Sequence, residues 1–283
     1  YTLRTLFPYT TLFRSYLSQW FPTFRRGRIM ALFMSAIPVS GLLGSPFSGW
    51  ILNHFGTGQG GLAGWQWMFL LQGIPTVILG ALAYFLLSDS FANAKWLKPH
   101  ERAVLEADHA TDLANKPKTT TDSLAEVFKN PAIWAFGLIY FCIQSGVYAI
   151  NFWLPSIIKN LGFSDNLVIG WLSAIPYLLA AVFMLLVGRS ADLRKERRWH
   201  LVVPMLMGAL GLVIAVNFAT TPAIAILGLT IATMGALTGL PMFWPVPTAM
   251  LSAGAAAGGL ALINSMGQMA GFLSPYIVGF VKD

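Results

Sequence analysis

Seven long apolar stretches restrict this chain to a membrane-embedded helical fold. They run from about residue 29 to 52, 65 to 87, 132 to 158, 168 to 187, 201 to 218, 223 to 244 and 257 to 280. A bilayer core about 30 Å thick is crossed by roughly 20 helical residues, which is the scale of these stretches. Lipid offers no partner to an unpaired N–H or C=O group, and the stretches lack the period-2 alternation of barrel strands. Each is therefore predicted to be a transmembrane helix.

The composition is typical of a chain surrounded by lipid rather than water. Of the 283 residues, 56% are hydrophobic and 10% are charged, whereas a soluble domain carries about 25% charged residues. Cys142 is the only cysteine, which excludes a disulfide-stabilised scaffold. The net charge of +7 would suit a nucleic-acid-binding protein, but the basic residues lie in the loops between apolar stretches. We expect a multi-pass membrane protein with the lipid bilayer, and no nucleic acid, as its partner.

Lysine and arginine lie almost entirely in alternate loops. Fourteen of them share one side of the expected topology, namely Arg25, Arg26, Arg28, Lys95, Lys98, Arg102, Lys116, Lys118, Lys129, Arg189, Arg194, Lys195, Arg197 and Arg198. Outside residues 1–15, the other side holds only Lys159 and Lys282. Because loops rich in Lys and Arg stay in the cytoplasm, the side with fourteen basic residues is predicted to be cytoplasmic. The expected location is the cell membrane, which in a bacterium is the inner membrane.

Segment 89–131 is the one long polar part of the chain. It carries seven of the eleven Asp and Glu residues. We interpret it as a cytoplasmic linker between two helical bundles, 16–88 and 132–283; a regulatory domain is the alternative. Within it, Lys98-Pro99-His100-Glu101 suits the first turn of a helix, and Ser123-Leu124-Ala125-Glu126 has the spacing of a capping box.

Residues 1–15 are expected not to belong to the natural protein. Thr5 to Ser15, TLFPYTTLFRS, looks like the translation of a sequencing-library adapter. A genuine amphipathic start is the alternative, but the segment lacks the small-residue cleavage site of a signal peptide.

Several short motifs occur in a characteristic order along the chain. They are Trp20-Phe21-Pro22 before Arg25 to Arg28, Gly64-Trp65-Gln66-Trp67-Met68-Phe69, Phe152-Trp153-Leu154-Pro155, Gly188-Arg189-Ser190-Ala191-Asp192 with Arg197-Arg198-Trp199-His200, Phe243-Trp244, and Ala261-Leu262-Ile263-Asn264-Ser265. In this order and at these spacings, residues 16–283 resemble the major facilitator superfamily. Within it they are most similar to the anion:cation symporter branch, which comprises organic-anion permeases.

This resemblance implies a fold and an activity. The fold would be an all-α membrane bundle whose seven helices match the fifth to the eleventh of twelve. The first three helices, most of the fourth, and the twelfth would then be missing. The activity would be import of a small organic anion together with protons, by alternating access between two halves. A proton-driven efflux antiporter of the same superfamily and a nonfunctional gene fragment are the alternatives.

The candidate substrate-binding residues are polar or aromatic positions within the apolar stretches: Tyr140, Gln144, Asn151, Trp244, Asn264 and Gln268. Those between 132 and 158, together with Tyr148, lie within an arc of about 80° on a helix. The two amides of the last stretch are one turn apart. Amide side chains near the middle of a membrane need partners in a bundle interior or an aqueous cavity.

Two interpretations of this polar set remain open. In one, the amides and hydroxyls bind the oxygens of a small anion, and the resemblance places the positions of Tyr140, Trp244 and Asn264 at the family's central pocket. In the other, the set only joins helices to one another. Ile37-Pro38 and Pro241-Met242-Phe243 stand where sugar-acid permeases of the branch are polar. A less hydroxylated or aromatic carboxylate is therefore expected.

The loop from Gly188 to Arg198 resembles a degenerate copy of the superfamily's cytoplasmic loop motif. We interpret Gly188, Asp192, Arg197 and Arg198 as a conformational latch, in which Asp192 and the nearby arginines bridge to neighbouring helix ends in one state and release in the other. Simple anchoring of the loop in the cytoplasm is the alternative.

Charged residues are missing from the interior of all seven stretches. A retinal protein needs a lysine inside its last helix, and residues 257–280 contain none, so that class is excluded. A membrane enzyme would show clustered His, Asp or Glu, which the sequence lacks. No catalysed reaction, cofactor or metal is therefore expected. The resemblance places the essential acidic residues and the anion-binding arginine in the missing N-terminal part.

Overall fold

The computed structural model describes residues 16, 20, 32–56, 58–88, 91, 94, 96–114, 128–250 and 253–282. Throughout these residues the regular secondary structure is helical. Three features of the sequence lie outside them: the suspected adapter segment 1–15, the basic group Arg25 to Arg28, and the capping box Ser123 to Glu126. The prediction that the chain is all-α is confirmed for the described residues.

In the residues that the structure describes, nine α-helices are numbered in chain order. They are α1 (Ala36–Phe55), α2 (Gly64–Leu86), α3 (Pro99–Ala114), α4 (Pro131–Asn160), α5 (Asn166–Arg194), α6 (Arg198–Asn217), α7 (Pro222–Phe243), α8 (Pro245–Met250) and α9 (Ala253–Lys282). A short 3-10 turn, Gln59–Gly61, lies between α1 and α2. Each of the seven predicted spans corresponds to one long helix.

Six helical segments of the described residues are long and apolar enough to cross a membrane. They are Leu32–Phe55, Gly64–Leu86, Pro131–Asn160, Asn166–Arg194, Arg198–Asn217 and Pro222–Thr248. The seventh predicted span is helix α9, which has 30 residues but is not one of these six. Its central amides, Asn264 and Gln268, lower its mean hydropathy.

Helices α4 and α5 begin before the apolar stretches because polar side chains cap them. Asn130 accepts a hydrogen bond from the backbone N–H of Ala132 at 3.0 Å, and Pro131 follows it in the first turn. Asp165 accepts hydrogen bonds from the N–H groups of Leu167 and Val168 at 2.7 and 3.0 Å. An oxygen at the N-cap satisfies N–H groups that the helix itself leaves unpaired.

The described residues fall into two compact units. The first comprises Tyr1–Phe33 and Phe69–Lys118. Within it, Trp20 stacks on Trp96 with ring centroids 5.5 Å apart, and Glu101 accepts a hydrogen bond from the N–H of Lys98 at 3.0 Å. That bond confirms the predicted first turn of helix α3.

The second unit comprises Met34–Met68 and Thr119–Asp283. Its helices pack mainly in three pairs: α6 with α7, α4 with α9, and α1 with α5. Helix α7 is the most buried of them. It approaches α6 closely through glycines, because a Cβ at Gly235 would meet the backbone oxygen of Pro204, and one at Gly228 would lie 2.6 Å from the nitrogen of Ala215. Small residues at helix contacts are typical of membrane bundles.

Candidate functional site

The contact between helices α4 and α9 fixes the aromatic side chains of the predicted site. Gly267 faces the ring of Tyr140 so closely that an added Cβ would overlap it. A Cβ at Gly271 would lie 3.1 Å from the ring of Tyr148. Gly267 and Gly271 therefore allow the tyrosines of α4 to pack closely against α9.

Tyr140 and Trp244 belong to one aromatic cluster. The Tyr140 ring stacks on Phe243 at a centroid distance of 5.0 Å and meets Trp244 edge-on at 4.8 Å. Phe243 is the last residue of α7 and is 1% exposed, whereas Trp244 is half-buried. The two predicted aromatic residues are thus brought together, and Phe243 forms the buried side of their cluster.

Two predicted amides form hydrogen bonds between helices. The hydroxyl of Tyr148 donates to the amide oxygen of Gln268 at 2.7 Å, which joins α4 to α9. The hydroxyl of Tyr177 donates to the amide oxygen of Asn151 at 2.7 Å, which joins α5 to α4. In these two cases the structure shows the helix-joining contacts that the second interpretation of the sequence describes. In each contact the amide oxygen accepts the hydrogen bond, and the amide NH2 group takes no part in it.

Gln144 and Asn264 differ from these two amides. Gln144 is 6% exposed and Asn264 is half-buried, and within the described part of the chain neither side chain has a hydrogen-bond partner. Such groups are suited to bind the oxygens of a polar ligand, because the protein does not satisfy them itself.

Thr238 carries a further polar group without a partner among the described residues, and it was not predicted from the sequence. Thr230 and Thr233 on the same helix α7 donate to the carbonyl four residues earlier, each at 2.7 Å. Thr238 is fully buried, and its hydroxyl has no partner among the residues that the structure describes. Its only signal in the sequence is a hydroxyl within an apolar stretch, which Thr230 and Thr233 share.

The predicted latch residues surround the turn between α5 and α6. Asp192 and Arg197 form an ion pair. Arg198 begins α6, is exposed, and forms no ion pair within the described ranges. Gly188 lies one turn before Asp192, where an added Cβ would be 3.7 Å from the Met242 side chain. The structure therefore pairs Asp192 with one of the two predicted arginines.

A second polar network at this turn was missed. Ser190 and His200 are joined at 3.0 Å through Nε2 of the histidine, and His200 Nδ1 lies 2.9 Å from Glu196. Hydrogen bonds from the backbone N–H of Trp199, and then from His200, lower the pKa of the Glu196 carboxyl. The i, i+4 spacing of Glu196 and His200 is the signal that could have revealed it. The network ties the end of α5 to the start of α6.

Comparisons with known proteins agree with this architecture. Residues 8–275 match the Major Facilitator Superfamily. The chain is 42% identical to the "Putative metabolite transport protein NicT" of Pseudomonas putida and 41% identical to a "Putative tartrate transporter" of Agrobacterium vitis, over 95% of this chain in each case. It is 30% identical to the "Quinolone resistance transporter" of Acinetobacter baumannii over 94% of its length.

In all three comparisons the chain spans 61% of the length of the curated relative. The matched segment includes every residue of the predicted site. It also includes the long helices in full, except for the end of α9 after residue 275. The chain is a multi-pass membrane protein and belongs to the Major Facilitator Superfamily.

Proposed function

We propose that the protein is a secondary transporter that imports a small organic anion, a carboxylate, together with protons. The observation that carries the proposal is the unpartnered pair of amides, Gln144 and Asn264, on the two closely packed helices α4 and α9. The relatives named for metabolite and tartrate transport support the substrate class. The transporters of this family do not catalyse a reaction, so the proposed role is binding and movement of the substrate.

The proposed site has an amide part and an aromatic part. The NH2 groups of Gln144 and Asn264 would donate to carboxylate oxygens, and hydrogen bonds to a charged acceptor are stronger than those between neutral groups. Tyr140 and Trp244 would form an apolar wall, which suits a less hydroxylated or aromatic carboxylate. Asn151 and Gln268 would hold the neighbouring helices and present their remaining NH2 groups at the edge of the site.

Proton coupling is part of the proposal and comes from the resemblance of the sequence to proton-coupled permeases. We place segment 89–131 in the cytoplasm of a bacterial inner membrane, as the distribution of Lys and Arg indicates. The Asp192–Arg197 pair would then act as a cytoplasmic latch between conformations. Asp192→Asn should slow transport while leaving equilibrium substrate binding within a few fold, and loss of binding would contradict the latch.

Efflux by proton antiport is the second candidate function. The observation in its favour is the 30% identity to a relative named for quinolone resistance. The two functions differ in the direction of substrate movement. A symporter accumulates its substrate on the side to which protons flow, whereas an antiporter expels it from that side.

The test uses the protein expressed from its full reading frame and reconstituted in liposomes. Labelled tartrate and benzoate are offered outside vesicles whose interior is more alkaline than the medium. Accumulation that collapses on addition of a protonophore, and that falls strongly in Gln144→Leu and Asn264→Ala, is the expected result. Accumulation that does not depend on the pH gradient would contradict proton symport. Expulsion of a preloaded quinolone under the same gradient would favour the antiporter.

A further inference from the structure

Helices α1 and α5 approach each other unusually closely along one line of contact, the seam, which includes Gly49 on α1 and Gly170 on α5. A Cβ at Gly170 would lie 2.6 Å from the backbone oxygen of Ser45 and 3.0 Å from Cα of Pro46. From the other side, a Cβ at Gly49 would overlap the backbone oxygen of Asn166. Backbone therefore meets backbone at this seam, and any larger side chain at either glycine would force the helices apart.

The seam continues toward the other end of α1 through an aromatic contact. A Cβ at Gly41 would lie 2.6 Å from the ring of Tyr177. A Cβ added at Gly44 would meet no atom of another described element within 4 Å, so the glycines of α1 do not all face α5. The contact surface thus follows Gly41, Ser45 and Gly49, one position per turn of the helix.

A polar contact closes one end of this seam. Nδ2 of Asn53, in the last turn of α1, donates to Oδ1 of Asp165 at 2.9 Å. The same carboxylate oxygen accepts from the N–H groups of Leu167 and Val168 and so caps helix α5. These two capping hydrogen bonds hold the Asp165 carboxylate where the Asn53 side chain can reach it. They hold it there even when Asn53 has moved away.

The contact can separate without leaving buried groups unsatisfied. Asn53 and Asp165 are both exposed, and the cap of α5 continues to satisfy the carboxylate after Asn53 leaves. Among the described residues, α5 is the only helix with which α1 makes an extensive contact. Helix α1 precedes the polar linker and α5 follows it, so the seam joins the two parts of the chain that the linker separates.

The charge distribution indicates on which side of the membrane this contact lies. The connection from α4 to α5, which contains Asp165, is on the side that has few lysines and arginines. Because basic loops remain in the cytoplasm, Asn53 and Asp165 are expected at the non-cytoplasmic face.

We propose that Asn53 and Asp165 form an outer clasp, which holds α1 against α5 at the non-cytoplasmic end and must release for substrate to pass that side. This inference rests on the proposed transport function. The close glycine contacts allow α1 and α5 to return to the same packing. The clasp determines the fraction of time for which the two helices are joined. Any substrate path between these helices is closed in the structure described here.

The first experiment holds the clasp closed with a covalent cross-link. In a Cys142→Ser background of the full-length protein, Asn53→Cys and Asp165→Cys are combined and joined by a short bifunctional methanethiosulfonate reagent. We expect uptake to fall in proportion to the cross-linked fraction and to recover after reduction. Each single-cysteine variant treated in the same way should keep its uptake. Undiminished uptake by cross-linked protein would overturn the clasp while leaving the transport proposal intact.

The second experiment does not depend on transport. Ser45→Cys in the Cys142→Ser background is labelled from outside with a membrane-impermeant thiol reagent. Asn53→Ala should raise the labelling rate by about fivefold, the factor expected for losing one hydrogen bond. Asn160→Ala, which alters an exposed asparagine at the end of α4, is the matched control and should leave the rate unchanged. Equal rates in both variants would overturn the clasp, even if no substrate were found.

Gly170→Leu extends this test to the seam. It should raise Ser45→Cys labelling further than Asn53→Ala does, because the backbones can no longer approach. A labelling rate equal to that of the parent would contradict the role of the seam in closing the outer side.

Discussion

Tyr177 on α5 joins two helices with one side chain, through a 2.7 Å hydrogen bond from its hydroxyl to the amide oxygen of Asn151 and through contact of its ring with Gly41. The hydroxyl reaches α4 and the ring reaches α1. Tyr177 is 7% exposed, so its position depends on both contacts. A polar residue at the edge of the proposed site is thereby coupled to the seam that bears the outer clasp.

Tyr177→Phe should weaken the bundle slightly without disrupting it. The substitution removes the hydrogen bond to Asn151 and keeps the ring against Gly41. Hydrogen bonds between membrane helices contribute about 0.6 kcal/mol on average and up to roughly 2 kcal/mol. The free energy of unfolding in mixed micelles should fall by that amount. Tyr276→Phe, at a tyrosine that is 63% exposed, is the control and should have no measurable effect.

Gly267→Val tests the packing that positions Tyr140. A side chain at Gly267 collides with the Tyr140 ring, and over-packing a tight contact costs about 1–3 kcal/mol. Both the free energy of unfolding and substrate uptake should fall, because the collision displaces an aromatic residue of the proposed site. Gly44→Ala is the control, because a Cβ added at Gly44 would meet no atom of another described element within 4 Å. It should change the free energy of unfolding by less than about 1 kcal/mol. Equal effects of the two substitutions would contradict the described α4–α9 contact.

Gln144→Leu should separate function from stability. Gln144 is buried without a hydrogen-bond partner in the described residues, so replacing it with an apolar side chain of similar size should not destabilise the protein. Uptake should nevertheless fall at least tenfold, a loss of about 1.4 kcal/mol of substrate binding. Surface expression and the melting temperature are measured beside uptake.

Asn264→Ala makes the corresponding test on helix α9. It should reduce uptake far more than it reduces the amount of protein in the membrane. Parallel losses of uptake and membrane expression would instead identify Asn264 as a packing residue.

The sequence predicted the long helices well because the bilayer imposes one length and one hydrogen-bonding pattern on them. It also predicted that Tyr140 and Trp244 belong to one site; the structure places their rings in contact, and their role in substrate binding stays a prediction. It could not distinguish Gln268, which bonds to Tyr148, from Gln144, which has no described partner. That difference depends on which residue of a neighbouring helix lies opposite, and spacing along one helix carries no such information.

For the same reason, the contact of Asn53 with Asp165 could not be predicted from the sequence. The two residues are 112 positions apart, and each alone resembles an ordinary polar residue at a helix end. The hydrogen bond from Asn53 to Asp165 required the position of α1 to be known. The seam glycine Gly170 was likewise visible only once Ser45 was placed opposite it.

The stability contributed by Asp165 should depend on pH only in acid. Hydrogen bonds from Val168 and then from Asn53 lower the pKa of its carboxyl below the ordinary value of 3.8. A group whose pKa is lowered by folding stabilises the folded protein above its unfolded pKa and loses that contribution as the pH falls through its folded pKa.

Wild type should therefore melt at a higher temperature than Asp165→Asn at neutral pH, and the difference should shrink only below pH 3.8. The comparison cancels the effect of Glu196, whose pKa is also lowered and which both proteins contain. Asn53→Ala should raise the pKa of folded Asp165 toward its ordinary value, so the stability contributed by Asp165 should be smaller in that variant and should be lost completely at a higher pH. A melting-temperature difference that is the same at every pH would show that the Asp165 charge takes no part in the cap or the clasp.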